Sequence, residues 1–327
     1  MSTSGTIGTT SISVAQMLEH AFRRCGVLPS KITPEDEQSA RESLYFFMVS
    51  LAARGINLWC VAKYLIGLQA NQGTYALPTG TIEVLNWVHS QPQEAAGTTS
   101  VVGNGIQTDL GSATQITRYG IKFSTAPSTA TIGTLAGSTD GLSWTSLQVQ
   151  ESKLYVANQW YWFDVDPQRT YQYFRFEPLA IGVLDGFFAA TSTRDLPIKP
   201  WNRDDWANQP IKTRTGTPAT NLYFEKLIAP QFTLWPVPSN ATDHVSAWIH
   251  REIQDVGALT NNLEIPTRWM EHVLWQFAFR VAAEVPSASE RLQFLENQAM
   301  KYQIESEYGE TDNAPIYMAP NISVYTR

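Results

Sequence analysis

Residues 266–308 constrain this chain more than any other stretch. Met270, Val273, Leu274, Phe277, Ala278, Val281, Ala282 and Val285 recur every three or four residues, which lines one face of an α-helix with apolar side chains. Pro266-Thr267 opens that helix, and Pro286 closes it by removing a backbone donor and crowding the preceding turn. Ser287 and Glu290 have the spacing of a capping box for a second helix, whose stripe is Leu292, Leu295, Ala299 and Tyr302. Two amphipathic helices across a short break need apolar partners, and the start of the chain supplies them. Ser13 and Gln16 make a capping box before Val14, Met17, Leu18, Ala21, Phe22 and Cys25, and Gly26 is placed to end that helix. Thr33-Pro34 starts another, with Ala40, Leu44, Phe47, Met48 and Leu51 on its apolar face and Gly55 at its stop. The expectation is a helical layer built from both chain termini, with everything else inserted between.

The middle reads as β-structure, so the fold class is α+β. Strands are expected at residues 64–68, 73–78 and 82–89, separated by turn residues. Residues 94–100 are small and polar and read as a junction, after which short strands punctuated by Gly, Ser, Thr and Asp run to residue 179 in the manner of a β-sandwich. Strands follow again at 221–227, 232–234 and 245–252. The resulting division is a flexible stretch 1–11, a discontinuous domain of 12–93 with 186–308, an inserted sandwich of 94–185, and an extended tail 309–327. A length of 327 residues is enough for two domains. Aromatics at 12%, with 11 Trp and only 16% charged residues, suit β-structure and broad protein interfaces.

A net charge of −7 excludes a surface that coats nucleic acid, which needs a basic stripe, and leaves room for an acidic channel that repels DNA. Cys25 and Cys60 have no metal or redox spacing and read as reduced core thiols. No signal-peptide pattern opens the chain and no apolar run reaches membrane-spanning length, so assembly in a cytoplasm, without a membrane, is the expectation.

Two resemblances follow from particular residues. Arg23-Arg24-Cys25-Gly26-Val27-Leu28, Leu51-Ala52-Ala53-Arg54-Gly55 and Tyr75-Ala76-Leu77-Pro78 come first. Gly216-Thr217-Pro218, Leu234-Trp235-Pro236-Val237-Pro238 and Ile265-Pro266-Thr267-Arg268-Trp269 then follow before the last helices. In that order they resemble the head-to-tail adaptor (tail tubular protein A) family of short-tailed bacteriophages, over residues 12–90 and 190–308. The resemblance implies a structural virion protein, a homo-oligomeric ring usually of twelve copies. Such a ring is docked under the portal protein and joined below to the tail nozzle protein. Genomic DNA passes through its lumen during ejection without specific contacts. The insert resembles a truncated discoidin (coagulation-factor type C) jelly-roll sandwich, carried by Asp109-Leu110-Gly111, Ile116, Tyr119-Gly120-Ile121, Tyr173-Phe174-Arg175-Phe176 and above all Gly137-Ser138-Thr139-Asp140-Gly141-Leu142-Ser143-Trp144. Many discoidin relatives bind sugars, which implies an alternative function: a carbohydrate-binding virion protein that aids host attachment.

Trp160 and Trp162 alternate with Tyr161, Phe163 and Val165 on one strand, so the two Trp share a face with Asp164. That platform suits a stacked sugar ring, a neighbouring subunit or a contact within the chain. Trp144 reads as core. Asp140, Asp164 and Asp166 offer hard oxygen ligands, but Asp140-Gly141 and Asp166-Pro167 are turn pairs. Asp204-Asp205 mimics paired glycosidase carboxylates only superficially, since adjacent residues diverge. No catalytic set, metal site or cofactor motif emerges from the five His or the Gly-rich turns, and no enzyme is expected. Arg23, Arg24, Arg54, Arg268, Arg280 and Arg291 lie on helical segments as solvated or subunit-bridging charges. In the tail, Ile316, Tyr317, Met318, Ile322, Val324 and Tyr325 are apolar anchors suited to docking on the portal.

Overall fold

The computed structural model describes residues 11–53, 58–180, 182–284 and 291–309. Five α-helices occur among them: α1 (Val14–Cys25), α2 (Pro34–Ala53), α3 (Arg203–Ala207), α4 (Met270–Glu284) and α5 (Leu292–Gly309). The chain divides into two compact units, one joining Met1–Cys60 to Glu252–Arg327 and the other spanning Val61–Arg251.

In the first unit the helix starts follow local chemistry. Ser13 Oγ accepts from the Gln16 amide while Gln16 Oε1 accepts from the Ser13 amide, and Gly26 ends α1 with φ +86°. Before α2, Thr33 Oγ1 accepts from the Asp36 amide and Asp36 Oδ2 accepts from the Thr33 amide, each at 3.1 Å. α4 packs against α1, α2 and α5. Met17, Leu44, Phe47, Val273, Phe277, Val281 and Leu295 are fully buried there. Three arginines that the sequence left as surface charges have partners inside this unit. Arg24 lies 3.9 Å over the Trp275 ring and donates to both oxygens of Glu271. Arg280 covers the Phe47 ring, and Arg291 reaches the Arg24 carbonyl. Burial pushes the Cys25 thiol up to about 11, and its Sγ donates to the Ala278 carbonyl. The break expected at Pro286, Ser287 and Glu290, and the tail anchors from Ile316 to Tyr325, lie outside the described residues.

The second unit is built from strands. In chain order they are β1 (Val61–Gly67), β2 (Thr74–Ala76), β3 (Thr81–Glu94), β4 (Thr98–Val102) and β5 (Gly105–Gln115). Next come β6 (Arg118–Thr125), β7 (Gly133–Ser138), β8 (Thr145–Val149), β9 (Trp160–Asp164) and β10 (Thr170–Pro178). Last are β11 (Val183–Pro197), β12 (Lys199–Trp201), β13 (Asn221–Glu225), β14 (Gln231–Trp235) and β15 (His244–Arg251). They form three sheets, ordered β1-β15-β3-β11-β6-β9, β4-β5-β10-β7-β8 and β12-β13-β14-β2. All pairings are antiparallel except that of β12 with β13.

The six-stranded sheet serves two cores. Its β6–β9–β11 end buries Tyr119, Ile121, Phe123, Tyr161 and Phe187 against Ile106, Leu135, Phe174 and Phe176 of the five-stranded sheet, giving the β-sandwich. Its β3–β15 end buries Trp87, Val245, Ala247 and Ile249 against Leu222, Phe232 and Leu234 of the four-stranded sheet.

The expected limit at 93/94 falls at the end of β3, and that at 185/186 falls within β11, which pairs with β3 through Ala190 and Glu94. The compact units part at 60/61 and 251/252. The polar stretch 94–100 is not a free junction, because Thr98–Val102 forms β4, joined to β5 by the two-residue turn Gly103-Asn104 with Gly103 at φ +62°. Its β-branched Thr98, Thr99, Val101 and Val102 favour a pleated edge although the residues leading into it are small and polar.

Candidate functional site

The six-stranded sheet curls until its two edge strands, β1 and β9, come together. Gly67 permits this approach, since a Cβ there would sit 2.1 Å from the Trp160 carbonyl oxygen. Across the seam, Lys63 Nζ pairs with Asp164 Oδ2 at 2.5 Å.

The curl decides the fate of the tryptophan platform. Tyr161 faces the sandwich core, so Trp162 faces the other way, into the inside of the curl. There it is 4% exposed, stacked 4.8 Å from the His244 ring and edge-on to Phe188 at 5.1 Å. Trp160 is half-buried, stacked 5.9 Å from Trp162, with the Lys122 ammonium over its ring. Of the three uses that strand alternation leaves open for Trp160 and Trp162, the contact within the chain is the one this packing displays. Pairing of β1 with the far edge of the sheet covers the face that strand alternation alone leaves outside.

A buried polar network lines the same interior. Arg118 donates through Nε to Asp164 at 2.8 Å and through Nη1 to His244 Nε2 at 2.6 Å. Burial, then the nearby Arg118 charge, holds His244 well below the ordinary imidazole value, so the ring is neutral and accepts at Nε2. One residue away, Asp243 accepts from His89 Nε2, Thr217 Oγ1, Gln91 Nε2 and Asn240 Nδ2. Burial alone would raise the Asp243 carboxyl; those donors outweigh it and hold the group below its usual range. Asp164 follows the same balance, with burial opposed by Lys63 and Arg118. None of this network is legible from spacing, because its members come from β1, β3, β6, β9 and the start of β15.

Two clefts open on the surface along the seam, and Lys63 with Asp164 borders both. One, of about 490 Å³, adds Thr117, Arg118, Gln168 and Ser192. The other, of about 630 Å³, adds Gln148, Gln150, Lys153 and Trp162. Both volumes fall in the range of small-molecule sites, about 300–1,000 Å³. The Oε1 of Gln148 is buried and has no hydrogen-bond donor among the described residues. The Lys153 ammonium lies 4.7 Å from the Tyr161 ring centre. Hydroxyls, amides and cations bordering an aromatic edge suit a polar ligand held by hydrogen bonds.

The other sequence candidates resolve into structure. Asp140 Oδ1 accepts from Ser138 Oγ and the Leu142 and Ser143 amides, which tie the 138–143 turn and hold its carboxyl at about 2. Trp144 is not core: it is half-buried, with the Arg175 guanidinium 4.3 Å over its ring. Asp205 caps α3 through Asn202 and does not face Asp204 across a cleft. Among the described residues no three His, Cys, Asp or Glu side chains converge as a metal group, and no helix is long and apolar enough to cross a membrane.

No protein-family model matches the chain, and no curated protein matches it. Solved structures match at low similarity. CpGH89CBM32-6 from Clostridium perfringens is 14% identical with a TM-score of 0.24, over 29% of this chain and 76% of that one. The CBM32 of AlyQ, in complex with 4,5-unsaturated mannuronic acid, is 17% identical with a TM-score of 0.21, over 32% of this chain and 97% of that one. A putative α-L-fucosidase from Bacteroides thetaiotaomicron is 13% identical with a TM-score of 0.24, over 31% of this chain and only 22% of that one. The β-sandwich stands on the strand pairings above. At these TM-scores nothing about ligand or partner carries over.

Proposed function

We propose that this is a structural virion protein, a head-to-tail connector ring that joins a portal to a tail nozzle and encloses part of the DNA path. The observation that carries the reading is the second face of α2. Leu44, Phe47, Met48 and Leu51 are buried within the helical unit, yet Tyr45, Phe46 and Val49 on the opposite side are exposed, Phe46 by 64%. The second half of α2 is thus apolar on both sides and asks to be covered on both. On α5, Met300 and Ile304 make a second exposed apolar stripe. Two unlike faces on one unit favour a head-to-tail contact, which closes into a ring when the rotation permits. The adaptor-like residue pattern in the flanking segments supports the same reading, and a net charge of −7 suits a lumen that DNA slides past. The test is mass by light scattering and low-resolution imaging of the full chain, alone and with portal. A ring that Phe46→Glu converts to monomer supports the reading; a wild-type monomer that ignores portal overturns it.

A second reading, carbohydrate binding that aids host attachment, is favoured by one observation, the polar seam with its unpaired Gln148 acceptor. Binding of the full chain on a glycan array tests it, and an array without signal removes it.

A further inference from the structure

The seam carries a charge balance opposite to that of the chain. Against a net charge of −7 overall, Lys63, Arg118 and Lys153 line the two clefts with only Asp164 and Glu151 as carboxylates. Asp164 is shared by two cations, Lys63 and Arg118, so one positive charge is left over at the bridge. The second contact of Arg118 goes to His244, a neutral acceptor that adds no negative charge. Lys153 forms no ion pair among the described residues and is held over aromatic faces instead. Around these cations the lining offers hydroxyls from Thr117 and Ser192, side-chain amides, and the buried Gln148 Oε1 that still lacks a donor.

We infer that the seam binds an anionic saccharide, its carboxylate facing Lys153 and its hydroxyls donating to Gln148 Oε1 and meeting the Thr117 and Ser192 rim. The inference rests on the carbohydrate-binding reading and adds the charge of the ligand. A carboxylate supplies what the excess cations lack, and sugar hydroxyls supply what the orphaned acceptor lacks. Two clefts on either side of the Lys63–Asp164 bridge give room for more than one sugar ring, so a short oligosaccharide suits the site better than a single residue.

Titration calorimetry on the full-length protein tests this with trigalacturonic acid and sialyllactose as anionic probes, and maltotriose and lactose as neutral counterparts. At least one anionic probe should bind at least tenfold more tightly than its counterpart at low salt, and lose most of that preference at high salt. Lys153→Gln, which keeps length and removes charge, should bring the anionic probe down to the neutral level with an unchanged melting temperature. Gln148→Leu should weaken binding of anionic and neutral sugars alike. Equal binding of both classes, or a Lys153→Gln protein with wild-type preference, overturns the anionic assignment and leaves the carbohydrate reading standing. If none of the four sugars binds, the inference and that reading fall together.

Discussion

Arg118 Nη1 and His244 Nε2 lie 2.6 Å apart inside the curled sheet, although 126 residues separate them in the chain. The contact fixes the histidine as a neutral acceptor, since a protonated ring would set two cations against each other in a buried place. It also joins the first sandwich strand of the curl, β6, to the strand that leads back to the helical unit, β15. Trp162 stacks over the same imidazole and screens it from water.

Stability should therefore depend on pH in one direction. His244 has a folded value depressed well below 6.5, and His250 is depressed by burial as well. Below about pH 6.5 the unfolded chain takes up protons that the folded chain refuses, so folding weakens as pH falls and is fully supported above it. For His244 alone the slope approaches about 1.4 kcal/mol per pH unit. Urea midpoints at pH 8, 6 and 5 measure it, and His244→Gln should flatten much of the fall. An unchanged midpoint from pH 8 to 5 would show that the ring is charged in the folded state.

The helical unit gives a paired prediction. Phe277 is fully buried, and Phe277→Ala should cost about 3–5 kcal/mol by urea unfolding. Phe46 is exposed on the outer side of α2, and Phe46→Ala should change the stability of a monomer by less than about 0.5 kcal/mol. Equal losses at both positions would contradict the burial pattern described for α2 and α4.

Local features were legible in the sequence because their causes are local. Ser13 with Gln16, and Gly26, mark α1 by groups three to thirteen residues apart. The apolar set Tyr161, Phe163 and Val165 turns toward the sandwich because a strand alternates. What could not be read is what closes over the other side of that strand. Trp162 looks exposed until Lys63 and Gly67 of β1, roughly a hundred residues earlier, arrive beside β9. The same holds for His89 and His244 in their strands and for Asp243 just before β15, isolated polar residues that acquire meaning only from partners the fold brings to them. Asp164 offers a hard oxygen by residue type alone, and its partners are two cations that no local spacing announces. The limits at 93/94 and 185/186 illustrate a related point: composition changes at residue 94, where β3 ends, yet β11 runs across 185/186 because it has backbone partners in β6 on one side and β3 on the other.

Modularity of the insert follows from that last point, with the opposite sign to what its composition suggests. Replacing residues 94–185 with a short Gly/Ser linker removes β6, the partner of β11, and β9, the edge strand paired to β6. It also uncovers His244, Phe188 and Ala190. The shortened chain should be insoluble or lack a cooperative melt by circular dichroism, although the excised piece begins beside the retained part of β11, with the Ala95 amide donating to the Ala189 carbonyl. A soluble, cooperatively melting product would show that β1, β3, β11 and β15 stand alone.

Asp164 should matter more to folding than either of its cations would suggest alone. It holds Lys63 across the seam and Arg118 within the interior, where the Arg118 side chain is 7% exposed. Lys63→Ala removes a partly exposed ion pair, worth about 0–1 kcal/mol, and leaves Arg118 its carboxylate. Asp164→Ala strands a buried guanidinium with a neutral imidazole as its remaining partner, and the cost of an unsatisfied buried polar group is about 1–3 kcal/mol. The exposed side of Asp164 lets water enter and keeps the loss below that of a sealed ion pair. In the double variant the Lys63 change should add almost nothing, because its partner is already gone. Urea denaturation of the two single variants and the double variant measures all three terms. Equal losses for Lys63→Ala and Asp164→Ala, adding fully in the double variant, would show that the carboxylate does not couple the seam to the Arg118 interior.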